Sequence, residues 1–122
     1  AITGSNDNNI IEGEKIIAIS SMDKIDILDL NNILYIEASG KYSIFKLTNG
    51  KEIIASKSLL HYQSKIKSDF FIRIHHKFVV NFKYIKKYDL DNNAFCKMQD
   101  DTIIPISRRN IPIFISNLHK IV

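Results

Sequence analysis

Three short stretches of the 122-residue sequence join positive charge to side chains that hydrogen-bond or stack: Ser39-Gly40-Lys41-Tyr42-Ser43, His75-His76-Lys77 and Ser107-Arg108-Arg109-Asn110. Lysine and arginine neutralise phosphates, while Arg, His, Asn and Ser donate to base edges in a major groove, so the chemistry on offer is nucleic-acid recognition. Each stretch also has a plain structural reading. The first serves as an exposed turn, the second as a strand end with His75 hydrogen-bonded in the core, and the third as the start of a helix. Charge along the chain is uneven. Residues 1–32 hold two lysines against six acids, −4, whereas residues 33–122 hold fifteen basic against seven acidic residues, +8. A basic segment of this kind attracts polyanions.

Other chemistries find little support. The four glycines fall in no nucleotide-binding spacing, and no nucleophile elbow surrounds a serine, so no catalytic residues are assigned and no enzyme is expected. His61, His75, His76 and His119 lack ligand spacing, so neither a metal nor another cofactor is expected. Cys96 is the only cysteine, which suits a reducing cytoplasm. No apolar run approaches the roughly 20 residues of a spanning helix, so no membrane contact is expected.

The elements that must position these stretches read mainly as strands. EKIIAISS, KIDILDL and ILYIEA are β-branched runs, and KYSIFKLTNGKEIIAS alternates around Asn49-Gly50, both of which tolerate the positive φ of a tight hairpin. Leu59, Leu60, Gln63 and Ile66 fall at helical spacing. FFIRIHHKFVVN returns to strand, with Phe70, Ile72 and Ile74 on one face, Phe71, Arg73 and His75 on the other, and His75 and His76 pointing opposite ways. KYIKKYDLDNN reads as turn-rich, and AFCKM with TIIPIS as a last hairpin across Asp100-Asp101. Ile111, Phe114, Ile115 and Leu118 mark a terminal amphipathic helix. Pro112 fits only its first turn, which puts Asn110 at the cap and Ser107, Arg108 and Arg109 on an exposed bend. The fold class is therefore mainly β, an elongated stack of small antiparallel sheets with two short helices. At 45% hydrophobic and 25% charged, the chain reads as one domain, residues 15–122, behind a linker or expression-derived tail, residues 1–14.

Three segments occur in an order that resembles the LytTR family of bacterial DNA-binding domains: Tyr35-Ile36-Glu37-Ala38 before a polar loop, Phe71-Ile72-Arg73-Ile74-His75 running into Val80-Asn81, and Pro105-Ile106-Ser107-Arg108 leading into the last helix. The resemblance covers about Lys15 to Val122. It implies stacked small sheets that grip double-stranded DNA by loops in the major groove. It also implies an output domain of a transcriptional regulator in a two-component system, behind an N-terminal receiver domain, acting on promoter direct repeats. Mapped onto this chain, the implied DNA contacts are Lys41, Tyr42 and Ser43, then His76 and Lys77, then Arg108, Arg109 and Asn110. His75 is structural in that pattern. The family often has a small polar residue where His76 and Lys77 stand.

Within this reading Lys41, Lys46, Lys77, Lys83, Lys86 and Lys87 are phosphate candidates, and Ser43, His76 and Arg109 are candidates for base edges. The alternative is a β-rich protein-interaction or RNA-binding module, with Tyr35, Tyr42 and Phe45 as an exposed stacking surface.

Overall fold

The computed structural model describes residues 15–121. The expected tail, residues 1–14, lies outside the described residues. Ten strands form within them: β1 (Ile16–Ser21), β2 (Lys24–Asp29), β3 (Ile33–Ser39), β4 (Tyr42–Leu47), β5 (Glu52–Ala55), β6 (Phe71–His75), β7 (Phe78–Asn81), β8 (Ile85–Asp89), β9 (Phe95–Met98) and β10 (Ile103–Pro105). Two helices, α1 (Leu59–Lys65) and α2 (Ile111–Ile121), complete the fold.

The strands make three antiparallel sheets: a ribbon of β1-β2, a central sheet ordered β5-β4-β3-β7-β6, and an outer sheet ordered β10-β9-β8. Strand periodicity sends alternate side chains to opposite faces, and the central sheet is buried on both. One face puts Ile36, Phe45, Leu47 and Val79 against Ile17 and Ile19 of the ribbon and Leu59 and Tyr62 of α1. The other puts Tyr35, Ile72, Ile74 and Val80 against Cys96, Met98 and Ile104 of the outer sheet and Phe114 of α2. Asn81, fully buried, closes the middle layer: its Nδ2 donates to the Ile33 carbonyl at 3.0 Å, and its Oδ1 accepts from Lys83 N at 3.0 Å.

Both expected hairpins form, and their turns share one hydrogen-bond pattern. Gly50 N donates to Leu47 O and Leu47 N to Lys51 O; likewise Asp101 N donates to Met98 O and Met98 N to Thr102 O. Only the third loop residue has positive φ, Gly50 at 87° and Asp101 at 71°. Asn49 keeps ordinary φ and uses its Oδ1 to accept from Lys51 N. These are three-residue loops ending in a left-handed residue, not the two-residue turn expected of Asn-Gly.

Three other expectations are corrected. The turn-rich reading of residues 83–93 gives way to β8, because hydrogen bonding to β9 makes a strand of a run whose own composition is polar. In α1 the buried residues are Leu59 and Tyr62, with Ile66 beyond the helix partly buried, while Leu60 is 67% exposed. Phe70 lies just outside β6 and is 38% exposed instead of sharing the core with Ile72 and Ile74.

Candidate nucleic-acid interface

The three basic stretches, far apart in sequence, are stitched to one end of the central sheet. At that end β3 finishes at Ser39, β4 begins at Tyr42, and β6 and β7 meet in the His76-Lys77 turn. Ala38 N donates to Lys77 O at 2.8 Å, joining the β3–β4 turn to the β6–β7 turn. Ser107 N donates to Ile74 O at 2.9 Å, joining the lead-in of α2 to the end of β6. These two backbone bonds hold the loops in fixed register. Gly40, at φ 60°, makes the tight β3–β4 turn possible.

Of the expected contact residues, Lys41 and Tyr42 are exposed, with the Lys41 ammonium 5.7 Å from the Tyr42 ring centre. His76, Lys77, Arg108 and Arg109 are exposed, and Asn110 is half-buried. Residues 108–110 form a single 3-10 turn that runs into α2, with Asn110 N donating to Ser107 O at 2.9 Å. The helix begins at Ile111, so Pro112 falls in its first turn as its missing N–H requires.

Ser43 does not join this surface. Because β4 starts at Tyr42, position 43 alternates inward opposite Ala55; it is fully buried, and its hydroxyl donates to the Lys57 carbonyl at 2.8 Å. Nor do the two histidines diverge. The strand ends at His75, and the backbone turns at His76, so the rings lie 4.3 Å apart and tilted by 31°. Half-buried His75 accepts Lys77 N–H on Nδ1 at 3.2 Å. Burial first, then the charges of His76, Lys77 and Arg73, push its pKa below 6.5.

Arg73 is the residue that sequence reasoning undervalued. Its Nε donates to His75 O at 2.9 Å, one terminal nitrogen to His76 O at 2.6 Å, and the other to Gln63 Oε1 at 2.6 Å. The guanidinium thus clamps the β6–β7 turn and ties it to α1. Its place within the Phe-Ile-Arg-x-His segment was the available signal. Lys57 was also missed; it follows β5 at the same end, beside Ser43.

The remaining phosphate candidates separate from this end. Lys46 pairs with Glu52 across the β4–β5 hairpin, Lys86 lies 2.7 Å from Asp101, and Lys83 donates to Asn31 at 2.6 Å. Lys87 is exposed on β8, in the outer sheet. By contrast, Lys41, Lys57, Lys77, Arg108 and Arg109 form no salt bridge among the described residues. An open cavity of about 730 Å³ beside Arg108 is lined by Asp91, Asn92 and Asn93 of the β8–β9 loop. The stacking surface of the RNA-binding alternative is absent, since Tyr35 and Phe45 are 4% and 0% exposed.

The sequence model of the LytTr DNA-binding domain matches residues 23–119. The chain belongs to the LytTR family of DNA-binding domains. Among solved structures, it is similar to the LytTr DNA-binding domain of a protein named as a methyl-accepting/DNA response regulator from Bacillus cereus. That match has a TM-score of 0.72 at 22% identity, covering 85% of this chain and 96% of that one. At this identity the likeness speaks for the fold. No curated protein sequence matches the chain. A LytTR domain is a DNA-binding unit and not a catalytic fold, and no group of three or more metal-ligating side chains occurs among the described residues. No helix of the described residues is long and apolar enough to cross a membrane.

Proposed function

We propose that this domain recognises specific duplex sequences by placing the β3–β4 turn, the β6–β7 turn and the lead-in of α2 against the major groove. It acts as the cytoplasmic output domain of a bacterial two-component transcriptional regulator, behind a receiver domain, on promoter direct repeats, and carries no catalysis. The observation that carries the reading is the gathering of Lys41, Lys57, Lys77, Arg108 and Arg109, free of salt bridges, at one end of the central sheet. Cations free of protein acids can replace the counterions of a phosphate backbone, and the adjoining His76, Arg109 and Asn110 carry donors suited to base edges. Tyr42, at the start of β4, adds an exposed ring and hydroxyl to the same surface.

Lys41, Lys57, Lys77 and Arg108 are assigned to phosphates, with Arg109, His76 and Asn110 facing the bases. Ser43 takes no part while its hydroxyl is held by Lys57. Selection from a random duplex library tests the reading. The expected result is a defined motif recurring in direct orientation at fixed spacing; retention of single strands over duplex, or of duplexes with no common sequence, would overturn it.

A further inference from the structure

The β1-β2 ribbon is apolar on its outer side as well as on the side that packs against the core. Registers Ala18↔Ile27, Ser20↔Ile25 and Ile16↔Asp29 put Ile16, Ala18, Ile25 and Ile27 on one face. The isoleucines there are 55%, 67% and 68% exposed, and Met22 at the turn is 98% exposed. Meanwhile Asp26, on the opposite side, is half-buried and Leu28 packs on the core. An antiparallel ribbon with one free face ordinarily turns its polar side to water. The contiguous strip, on the order of 400 Å², matches the size of patch that marks interaction sites.

Charge selects the partner. With Asp26 on the inner side, the outer face and its turn carry Asp23 and Asp29 against Lys24, a net negative charge, so two such faces repel one another. Residues 108–121 carry Arg108, Arg109 and Lys120 and no acid, and α2 exposes Ile113 at 48% and Ile121 at 47%. Ile113 and Lys120, seven residues apart, fall on one line of the helix. Lys120 lies 3.8 Å from Asp69, an exposed pair that solvent screens.

We propose that the outer face of the β1-β2 ribbon receives the exposed flank of α2 from a second copy of this chain, head to tail. The strip supplies about half of the roughly 800 Å² per partner of a stable complex, so the contact is weak in free solution. It becomes effective where two copies already sit side by side, as on a duplex, where a tether-like proximity raises the local concentration. That last step rests on the DNA-binding reading; the contact itself does not. A heterologous contact keeps every copy in the same orientation.

The test begins without DNA, by recording amide spectra of the domain from about 0.05 to about 2 mM, a range that spans millimolar affinity. Concentration-dependent shifts at both Ile25–Ile27 and Ile113–Ile121 are expected, and Ile27→Lys should abolish both sets. Asp23→Lys and Lys120→Glu should each weaken self-association, and mixing the two variants should restore it, because the mixture brings an intact ribbon to an intact helix. Shifts confined to the ribbon, no shifts at the highest concentration, or no rescue on mixing would overturn the proposal. On duplexes, Ile27→Lys should leave one-site affinity unchanged and lower the second-site advantage on a two-site duplex by about tenfold. A drop in one-site affinity would instead assign the ribbon to the DNA face and overturn the proposal. Failure of the unaltered domain to bind any duplex would count against the DNA reading alone.

Discussion

Arg73 directs its donors at two carbonyls of the β6–β7 turn and at Gln63, leaving Lys77 and His76 to face outward. Hydrogen bonds from a charged group contribute about 1.5–3 kcal/mol, and lysine lacks the planar fork that serves three acceptors at once. Arg73→Ala is therefore expected to lower stability in urea denaturation by about 2–3 kcal/mol, and Arg73→Lys by only slightly less. Both should weaken sequence-specific binding, and the lysine variant should keep non-specific affinity; an Arg73→Lys domain as stable as the original would refute the clamp. Arg109 has the opposite situation, exposed and without a side-chain partner among the described residues. Its fork suits O6 and N7 of guanine, so Arg109→Lys should lose about 1–3 kcal/mol of discrimination at one base position with folding unchanged. A mismatch series in which Arg108→Lys shows that loss, and Arg109→Lys none, would transfer the base contact to Arg108.

At the level of elements, Gly40 and Gly50 separate turn chemistry from DNA contact. Both have positive φ with open space where a Cβ would lie, so an alanine meets backbone strain and no clash. Each substitution should cost about 1 kcal/mol. Only Gly40→Ala should also reduce duplex affinity, because the β4–β5 turn of Gly50 lies at the far end of the sheet. Equal binding losses in titrations of the two variants would contradict this division of the sheet ends. The β6–β7 turn adds a pH dependence through His75, whose pKa is lowered from 6.5 chiefly by burial. Since the unfolded chain takes up the proton first, this stabilisation is complete above about pH 6.5 and is lost as pH falls through the folded value. The melting temperature should thus drop between about pH 7.5 and about pH 5, and His75→Asn, which keeps an acceptor for Lys77 N–H, should flatten part of that slope. An identical slope in the variant would remove His75 from the account.

Elements were the legible scale, and their limits were physical. Alternation in Tyr42–Leu47 and Phe71–His75 exposed their strands, because one face of each carries a core. The polar run Ile85–Asp89 hid β8, since its hydrogen bonds come from β9 and not from its own pattern. The loops were legible as basic segments, but the inward turn of Ser43 depended on a one-residue choice of where β4 begins, which alternation alone does not make. The close, tilted rings of His75 and His76 depended likewise on the strand ending between them. The clamp that Arg73 makes, as against its place in the Phe-Ile-Arg-x-His segment, could be read only once the turn was folded.

For the whole molecule, burial on both faces of the central sheet makes the two cores interdependent. Phe114 ties α2 to the outer layer through rings of Phe82 and Tyr88 at 4.9 and 5.2 Å, so Phe114→Ala should cost about 3–5 kcal/mol and loosen the lead-in that carries Arg108 and Arg109. Calorimetry with a change under about 1 kcal/mol would show that α2 is dispensable to the fold. The four cations assigned to phosphates imply that duplex affinity falls on the order of a hundredfold from about 50 to about 200 mM salt. The most direct measurement follows amide signals of the domain during titration with a library-selected duplex. Shifts concentrated at Gly40–Tyr42, His76–Lys77 and Arg108–Asn110, with the far-end turns at Thr48–Gly50 and Gln99–Asp101 unmoved, are the predicted result. Shifts centred on the far-end turns or on the β1-β2 ribbon, with those three loops silent, would contradict the account.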